Sequence, residues 1–358
     1  MTRIIGSDVT QLRETPFTTG VQRVMIETHK ALAHSLPKDE FDLRGFSTLD
    51  LPGEKYLESP YLAVDSVLSR PLVALQDLDI AILLDLNLAL SFKEILLLRK
   101  RKELPVISLI HDIIPILNPE WFPGEQALTK RYFRDFLQKT LAISDHVILT
   151  SNKVKQDIQN LGWRIEKPLH VFPLGASHIF ENKRERTDEI PTVVYVSTIE
   201  PRKGHLDLLG AFELLRNQGI KIRLEIVGRP GWLCREIIER MMADPDYGTL
   251  LRWHSKLSDE GVADLYNRAT VSIAPSFDEG FGLGIEEALA RQVMVLARKI
   301  PVFEERPNPN VYYFDGGAQS LAVELISMLD REWIPLEENS VRTMRDFGDD
   351  IGALIGSL

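Results

Sequence analysis

Short runs of aliphatic and β-branched residues alternate along this chain with longer amphipathic stretches. That alternation is the strongest constraint on its fold. It is the signature of βαβ units, and therefore of parallel sheets with helices on their faces. In the first half the pattern predicts strands over 3–9, 80–84, 106–111, 146–150 and 169–172. Helices are expected over about 20–34, 88–102, 124–142 and 152–161. The stretch 181–189 (Glu-Asn-Lys-Arg-Glu-Arg-Thr-Asp-Glu) is charged and has no apolar period, so it reads as a linker. A second series follows, with strands over 192–197, 221–227, 250–253, 271–274, 293–297 and 311–314. Its helices fall over 205–217, 232–242, 259–269, 284–291 and 319–330, and the tail over 341–358 reads as a terminal helix. The expected fold class is α/β, with two Rossmann-like, doubly wound parallel-sheet domains facing an interdomain cleft. Residues 1–180 form the first domain, 181–190 the linker and 191–335 the second. Residues 336–358 form a C-terminal segment ending in that terminal helix. The length of 358 residues suits two domains at roughly 150 residues each.

Composition narrows the function classes. Lys and Arg number 42 against 52 Asp and Glu, a net charge of −10, which argues against a surface that coats nucleic acid. With 44% hydrophobic and 26% charged residues, the chain is neither intrinsically disordered nor a multi-span membrane protein. A single cysteine, Cys234, allows no internal disulfide and no cysteine-based zinc site, which suits a reducing compartment. The N-terminus lacks the apolar core of a signal peptide, and the most apolar stretch, 78–90, is broken by Asp79 and Asp85. A soluble cytoplasmic protein is expected. Asp77-Leu78-Asp79 and Asp244-Pro245-Asp246 have the spacing of a metal-holding carboxylate pair but no further context, so no metal is expected.

The most informative segment is Pro275-Ser276-Phe277-Asp278-Glu279-Gly280-Phe281-Gly282-Leu283-Gly284-Ile285-Glu286-Glu287-Ala288-Leu289-Ala290. It leaves an apolar strand and opens a helix. Its glycines permit a tight turn and close approach of the backbone to a ligand, and a helix N-terminus offers free N–H groups to a phosphate. The carboxylates of Glu279 and Glu287 suit acceptance of hydrogen bonds from sugar or ribose hydroxyls. A second segment, Ser197-Thr198-Ile199-Glu200-Pro201-Arg202-Lys203-Gly204-His205, follows the first strand of the second half.

The first segment resembles the E-x7-E signature of the retaining glycosyltransferases of family 4, which have the GT-B fold, and it matches at Pro275, Ser276, Glu279, Gly280, Phe281, Gly282, Leu283, Glu287 and Ala288. It departs at Gly284, where the family usually has Pro. The second segment is similar to the family's P-R-K-G loop. The resemblance extends to Val227-Gly228-Arg229-Pro230-Gly231-Trp232, to the Leu257–Ala269 helix, to His111-Asp112, to the start of the first helix at Gly20 and to Pro173-Leu174-Gly175. It implies that Arg202 and Lys203 neutralise the donor diphosphate. Gly228, Arg229, Lys256, Leu257, Gly280, Phe281, Gly282, Leu283 and Glu287 would line the donor. His111 would donate to a hydroxyl of the transferred sugar, with Gly20 and Asp112 on the acceptor side. Leu265 and Tyr266 are read as ordinary core. The resemblance also implies that the C-terminal helix, within 336–358, packs back on the first domain; there the family's Phe-Ser-Trp is replaced by Phe347-Gly348-Asp349.

The resemblance thus implies a retaining, metal-independent hexosyltransferase that needs no cofactor beyond a nucleotide sugar. GDP-mannose is the first choice of donor, and a glycan or lipid-linked molecule the acceptor. A GT-B epimerase or phosphorylase, and a non-catalytic sugar-nucleotide-binding protein, are the competing readings. The run Arg99, Lys100, Arg101 and Lys102 after four apolar residues has two readings: a peripheral contact with an anionic membrane at its inner face, or a packed helix with cations at its C-terminus.

Overall fold

In both halves of the chain, successive strand residues go to opposite apolar layers, as expected when a parallel sheet is covered on both faces. The computed structural model describes residues 2–9, 20–46, 75–84, 96, 99, 103–177, 190–336 and 340–358. Most of the helix expected over 88–102 and of the linker expected over 181–190 lies outside them. The chain divides into two compact units. One comprises residues 1–116, 130–174 and 344–358, the other 117–129 and 175–343.

The first unit holds β1 (Arg3–Asp8), α1 (Gly20–Ser35), β2 (Phe41–Phe46), β3 (Ile80–Leu83), β4 (Val106–Ile110), most of α2 (Ile114–Leu117) and of α3 (Gln126–Ile143), β5 (His146–Leu149), α4 (Asn152–Asn160) and β6 (Leu169–Val171). Its sheet is parallel throughout, in the order β2-β1-β3-β4-β5-β6. The sequence reading omitted β2. Its residues Phe-Asp-Leu-Arg-Gly-Phe show no alternation of buried and open positions, and its Arg44 and Asp42 pair with each other at 2.9 Å. An edge strand of that kind carries no period to read.

The second unit contains β7 (Thr192–Val196), α5 (His205–Asn217), β8 (Arg223–Val227), α6 (Arg235–Met242), β9 (Leu251–His254), α7 (Asp259–Arg268) and β10 (Val271–Ala274). It continues with α8 (Leu283–Ala290), β11 (Met294–Arg298), the single turn α9 (Pro301–Glu304), β12 (Val311–Phe314) and α10 (Ala318–Leu329). The sheet order is β12-β11-β10-β7-β8-β9, again all parallel. Val193, Tyr195, Leu224, Ile226, Met294 and Leu296 face one buried layer. Val194, Val295 and Ala297 face the other, with Tyr266, Ala288 and Val302. Leu265 and Tyr266 are core, as read. Each fully buried large aliphatic side chain in these layers stabilises the unit by about 1.5–3 kcal/mol. Helix α6 starts at Arg235, three residues later than expected, because Leu233 adopts a left-handed φ of 51° that no helix tolerates.

The terminal helix α11 (Met344–Gly356) packs on α1 within the first unit. Phe347 is fully buried and Asp349 accepts from Ser35 Oγ at 2.5 Å. Between them, Gly348 lets the helices touch: a Cβ there would lie 2.6 Å from that of Ala31. Where the family has Ser-Trp, the Gly348-Asp349 pair thus makes a close backbone approach and a side-chain hydrogen bond. Gly348→Val is expected to destabilise the fold by about 1–3 kcal/mol in urea titration through overpacking. Gly352→Ala, where a Cβ finds only ordinary contacts at 3.6 Å, is expected to be neutral or to stabilise by about 0.4–1 kcal/mol.

Candidate functional site

In the second sheet the chain winds outward from β7 through β8 to β9, then returns to β10 on the other side of β7. The point where winding reverses is therefore the gap between β7 and β10, and open α/β sheets bind ligands off the strand C-termini at such a point. Both motifs emerge there. The loop after β7 carries Arg202 and Lys203 in a 3-10 turn (Pro201–Lys203), and the loop after β10 carries Ser276 and Glu279.

Glycine brings the two loops together. Gly204 has φ 71°, and a Cβ there would run into the Pro275 carbonyl. With that approach made, the Phe277 N–H donates to the Arg202 carbonyl at 2.8 Å. Gly228, with φ 156°, presses on the Ser197 carbonyl in the same way. The loop after β8 then joins by Ile199 N–H to the Arg229 carbonyl (2.9 Å) and Gly231 N–H to the Ile199 carbonyl (3.0 Å).

The side chains that meet above this framework form a charged cluster. Lys203 Nζ donates to Glu279 Oε1 at 2.5 Å, and Ser276 Oγ donates to the same oxygen at 2.8 Å. Arg202 Nη1 reaches Glu279 Oε2 and the Asp278 carbonyl, both at 3.3 Å, while its Nε donates to Glu200 at 3.2 Å. Burial alone would raise the Glu279 pKa, but the charges of Lys203 and Arg202 and the bonds from Lys203 and Ser276 overcome it and hold the group at about 2. Glu279 is thus an anion at neutral pH. A carboxylate offers about four acceptor positions, and these three bonds leave one for a hydroxyl. Below the cluster, the Tyr195 hydroxyl donates to the Lys203 carbonyl at 2.7 Å, and its ring packs on His205 at 4.8 Å. Burial lowers the His205 pKa to about 3, against the opposing effect of the Glu200 backbone, which keeps the ring neutral.

The loop ends at Gly282, whose φ of 94° caps α8, and a Cβ there would strike Phe303. Gly284 is the second residue of α8, and a Cβ there would meet nothing nearer than the Val196 carbonyl at 3.6 Å. The family's proline is therefore not excluded by space; its absence loosens the helix start without altering it. Gly280 and Phe281 are buried, Leu283 is half-buried at the helix start, and Glu287 is buried in the second turn of α8. Two arginines that the sequence reading missed hold this loop. Arg306 lies 3.8 Å over the Phe281 ring, donates to the Phe281 carbonyl at 2.8 Å and pairs with the buried Glu286 at 3.0 Å. Arg298 donates to the Pro275 carbonyl at 2.9 Å, pairs with Asp207 at 2.6 Å and lies over the Phe277 ring. The one sequence signal was a cation closing the otherwise apolar run Met294-Val295-Leu296-Ala297-Arg298.

The remaining candidates are more dispersed. Arg229 is half-buried beside the framework, whereas Lys256 and Leu257 are exposed after the edge strand β9, with Leu257 folded over Gly261. In the first unit, His111 follows β4 and bonds through Nε2 to the Leu84 carbonyl at 2.8 Å. A carbonyl only accepts, so Nε2 carries the proton. Burial lowers the ring's pKa, against the opposing effects of the Leu84 bond and Asp112. A neutral ring so bonded presents Nδ1 as an acceptor, which corrects the expected donation to a hydroxyl. Asp112 accepts from the Ile114 N–H at 3.0 Å and so starts α2. Gly20 opens α1 at an exposed position where a Cβ would meet nothing, so no steric need for glycine is present. Of the two Asp-x-Asp pairs, Asp244 and Asp246 both take Arg216, at 2.7 and 3.2 Å, and Asp79 accepts from the Ile4 N–H at 2.7 Å. Arg99 pairs with Asp145 at 2.6 Å; Lys100, Arg101 and Lys102 lie outside the described residues. Among the described residues no helix is long and apolar enough to cross a membrane.

Comparison with known proteins agrees with this geometry. Residues 178–345 match the family model described as glycosyl transferases group 1. The serotype-specific mannosyltransferase WbdA of Escherichia coli is 33% identical over 251 residues, covering 64% of this chain and 30% of the relative. The chain thus spans less than a third of that relative's length. Among solved structures, a sucrose-phosphate synthase from Thermosynechococcus elongatus superposes with a TM-score of 0.68 at 18% identity, over 99% of this chain and 98% of the other. HepE of Anabaena in complex with UDP and glucose gives 0.65 at 16% identity, over 99% and 95%. The fold is GT-B.

The depressed pKa of Glu279 sets a pH signature. Its folded value of about 2 lies below the ordinary carboxylate value of 4.5, so the contribution to stability is complete above about 4.5 and is lost as pH falls towards 2. Wild type is therefore expected to exceed Glu279→Gln in stability at neutral pH, with the gap closing through that window. Denaturant titrations of both proteins across the range check this.

Proposed function

We propose that this chain, which carries a glycosyl transferases group 1 domain at residues 178–345, transfers a hexose from a nucleoside-diphosphate sugar to an acceptor hydroxyl of a glycan, with retention of configuration. The observation that carries the reading is the Arg202–Lys203–Glu279 cluster at the winding reversal of the second sheet. As the bond from the anomeric carbon to the donor phosphate breaks, negative charge develops on the diphosphate. Lys203 and Arg202, with the N-terminus of α8, are cations and dipoles already in position for that charge. Glu279 keeps both cations oriented before a donor arrives, and its remaining acceptor position suits a hydroxyl of the sugar.

A carboxyl held at about 2 has no proton to give at neutral pH, which disfavours a role for Glu279 as general acid. The acceptor oxygen instead attacks the anomeric carbon from the side the phosphate leaves. The acceptor proton passes to the departing phosphate, so that one C–O bond forms as one breaks. The cations supply the charge a divalent metal would otherwise bring, and the nucleotide sugar is the only co-substrate the reaction needs. Glu287 is assigned to a hydroxyl of the donor, and Lys256 and Leu257 to its base, on the resemblance of their motifs. His111 is assigned to the transferred sugar on the same ground, as an acceptor through Nδ1. GDP-mannose is the favoured donor because the relative WbdA is named a mannosyltransferase.

A peripheral membrane contact would fall to Lys100, Arg101 and Lys102, since Arg99 is engaged by Asp145. Flotation with anionic liposomes checks it: neutralising those three residues should abolish co-flotation, and unchanged flotation removes the contact. For the transfer itself, a thermal-shift series should show GDP-mannose raising the melting temperature above UDP-glucose. Lys203→Ala should lower kcat by about a hundredfold to a thousandfold without loss of fold. Tight donor binding with no transfer to any acceptor would turn the reading into that of a binding protein.

A further inference from the structure

Strand β8 carries a carboxylate into the core of the second unit. Glu225 alternates with Leu224 and Ile226, so it points with Val227 into the layer that holds Val194 and Tyr266. It is buried there. A buried carboxylate needs partners, and the register with β9 supplies them: Arg252 stands opposite Glu225, and His254 opposite Val227. His254 Nε2 lies 2.6 Å from Glu225 Oε2, and Arg252 Nη1 lies 3.8 Å from Oε1. A carboxylate only accepts, so Nε2 carries the proton of the short bond. Arg252 is exposed and at the limit of an ion pair, so its contribution is small. His254 is therefore the main partner of Glu225.

Stability alone does not call for this pair, because apolar side chains of similar volume in place of a buried ion pair are often neutral or stabilising. Its place in the fold says what it holds. His254 is the last residue of β9, and both polar groups of Gly228 close on this strand end. The Gly228 N–H donates to the His254 carbonyl at 3.0 Å, and the Trp253 Nε1–H donates to the Gly228 carbonyl at 2.8 Å. Gly228 in turn presses on the Ser197 carbonyl, at the start of the loop that carries Arg202 and Lys203. Three hydrogen bonds thus pin the end of β9 to β8.

Beyond His254 the chain runs through Ser255, Lys256 and Leu257, all exposed, to Ser258. The Ser258 hydroxyl caps α7 by accepting from the Gly261 N–H at 3.2 Å. Three residues between two such anchors have little freedom. The strand ends stand in the order β10, β7, β8, β9. The end of β9 is therefore two strand spacings, about 10 Å, from that of β7. A donor whose diphosphate lies at β10 and β7 has the ends of β8 and β9 for its nucleoside. We infer that Glu225 and His254 are positioning residues for the nucleoside half of the donor: the pair fixes the end of β9, and with it the loop that bears Lys256 and Leu257. This inference rests on the proposed transfer from a nucleoside-diphosphate sugar, in which that loop meets the base.

The test uses the full chain. The double variant Glu225→Val/His254→Leu removes the pair without leaving a buried charge unpaired, so its melting temperature should match or exceed that of wild type. Calorimetry then follows GDP, UDP and inorganic pyrophosphate. The nucleotide that wild type binds more tightly should bind the double variant about tenfold more weakly, the scale of one lost hydrogen bond. Pyrophosphate, which lacks a nucleoside, should bind both proteins equally. In turnover with the matching sugar donor, KM should rise by more than kcat falls. His254→Gln, whose amide still donates to Glu225, should recover most of the affinity. Unchanged nucleotide binding by the folded double variant overturns the inference, since an apolar pair then serves as well. Equal losses for nucleotide and pyrophosphate overturn it too, because the pair then supports the whole site and not its nucleoside half. If the double variant does not fold, the comparison passes to His254→Asn, whose side chain is too short to reach Glu225, and full nucleotide affinity there overturns the inference. A wild type that binds neither nucleotide overturns the transfer reading itself, a result that no variant can mimic.

Discussion

The contact between Lys203 and Glu279 fixes the chemistry of the second unit. It joins residues 76 apart in sequence, from loops that leave neighbouring strands β7 and β10. A half-buried carboxylate needs partners, since burial without them would drive it to its neutral form. Lys203, Arg202 and Ser276 supply those partners, and the resulting anion in turn holds two cations in a fixed arrangement. Each charge is tolerated because the others are there, so the cluster acts as one preorganised unit.

That cluster depends on backbone geometry that only glycine allows. Gly204 and Gly228 bring carbonyls closer than a Cβ permits, so three loops share hydrogen bonds instead of facing one another across water. Around them stand side chains that brace the loops. Arg298 and Arg306 clasp the carbonyls of Pro275 and Phe281, and Tyr195 holds that of Lys203. The geometry of the charged groups is set from beneath by these neutral-acceptor contacts. Rigid support of this kind is what electrostatic stabilisation of a transition state requires.

Much of the architecture was legible in the residues. The alternation of strand and helix periods gave parallel sheets, and every strand of the second unit fell where it was expected. The exceptions have physical causes. Strand β2 lies at a sheet edge and has no alternation, and the start of α6 was displaced by the left-handed Leu233. Among site residues, Arg202, Lys203 and Glu279 meet. Lys256 and Leu257 stand off on the loop after the edge strand, and Asp112 caps a short helix. The protonation of His111 could not be read, because it follows from a bond to Leu84 that depends on how β3 and β4 align.

The sequence by itself determined which segments become strands and helices, where glycine must relieve the backbone, and which residues carry charge at the turns. Those properties depend on near neighbours and on dihedral preferences, which a string of residues contains. The tertiary structure decided which charges pair and which cations brace the loop. It also set His254, at the end of β9, against the buried Glu225. Those outcomes depend on strand order: adjacency in a sheet is fixed by the packing of both its faces, and no local stretch of sequence specifies it.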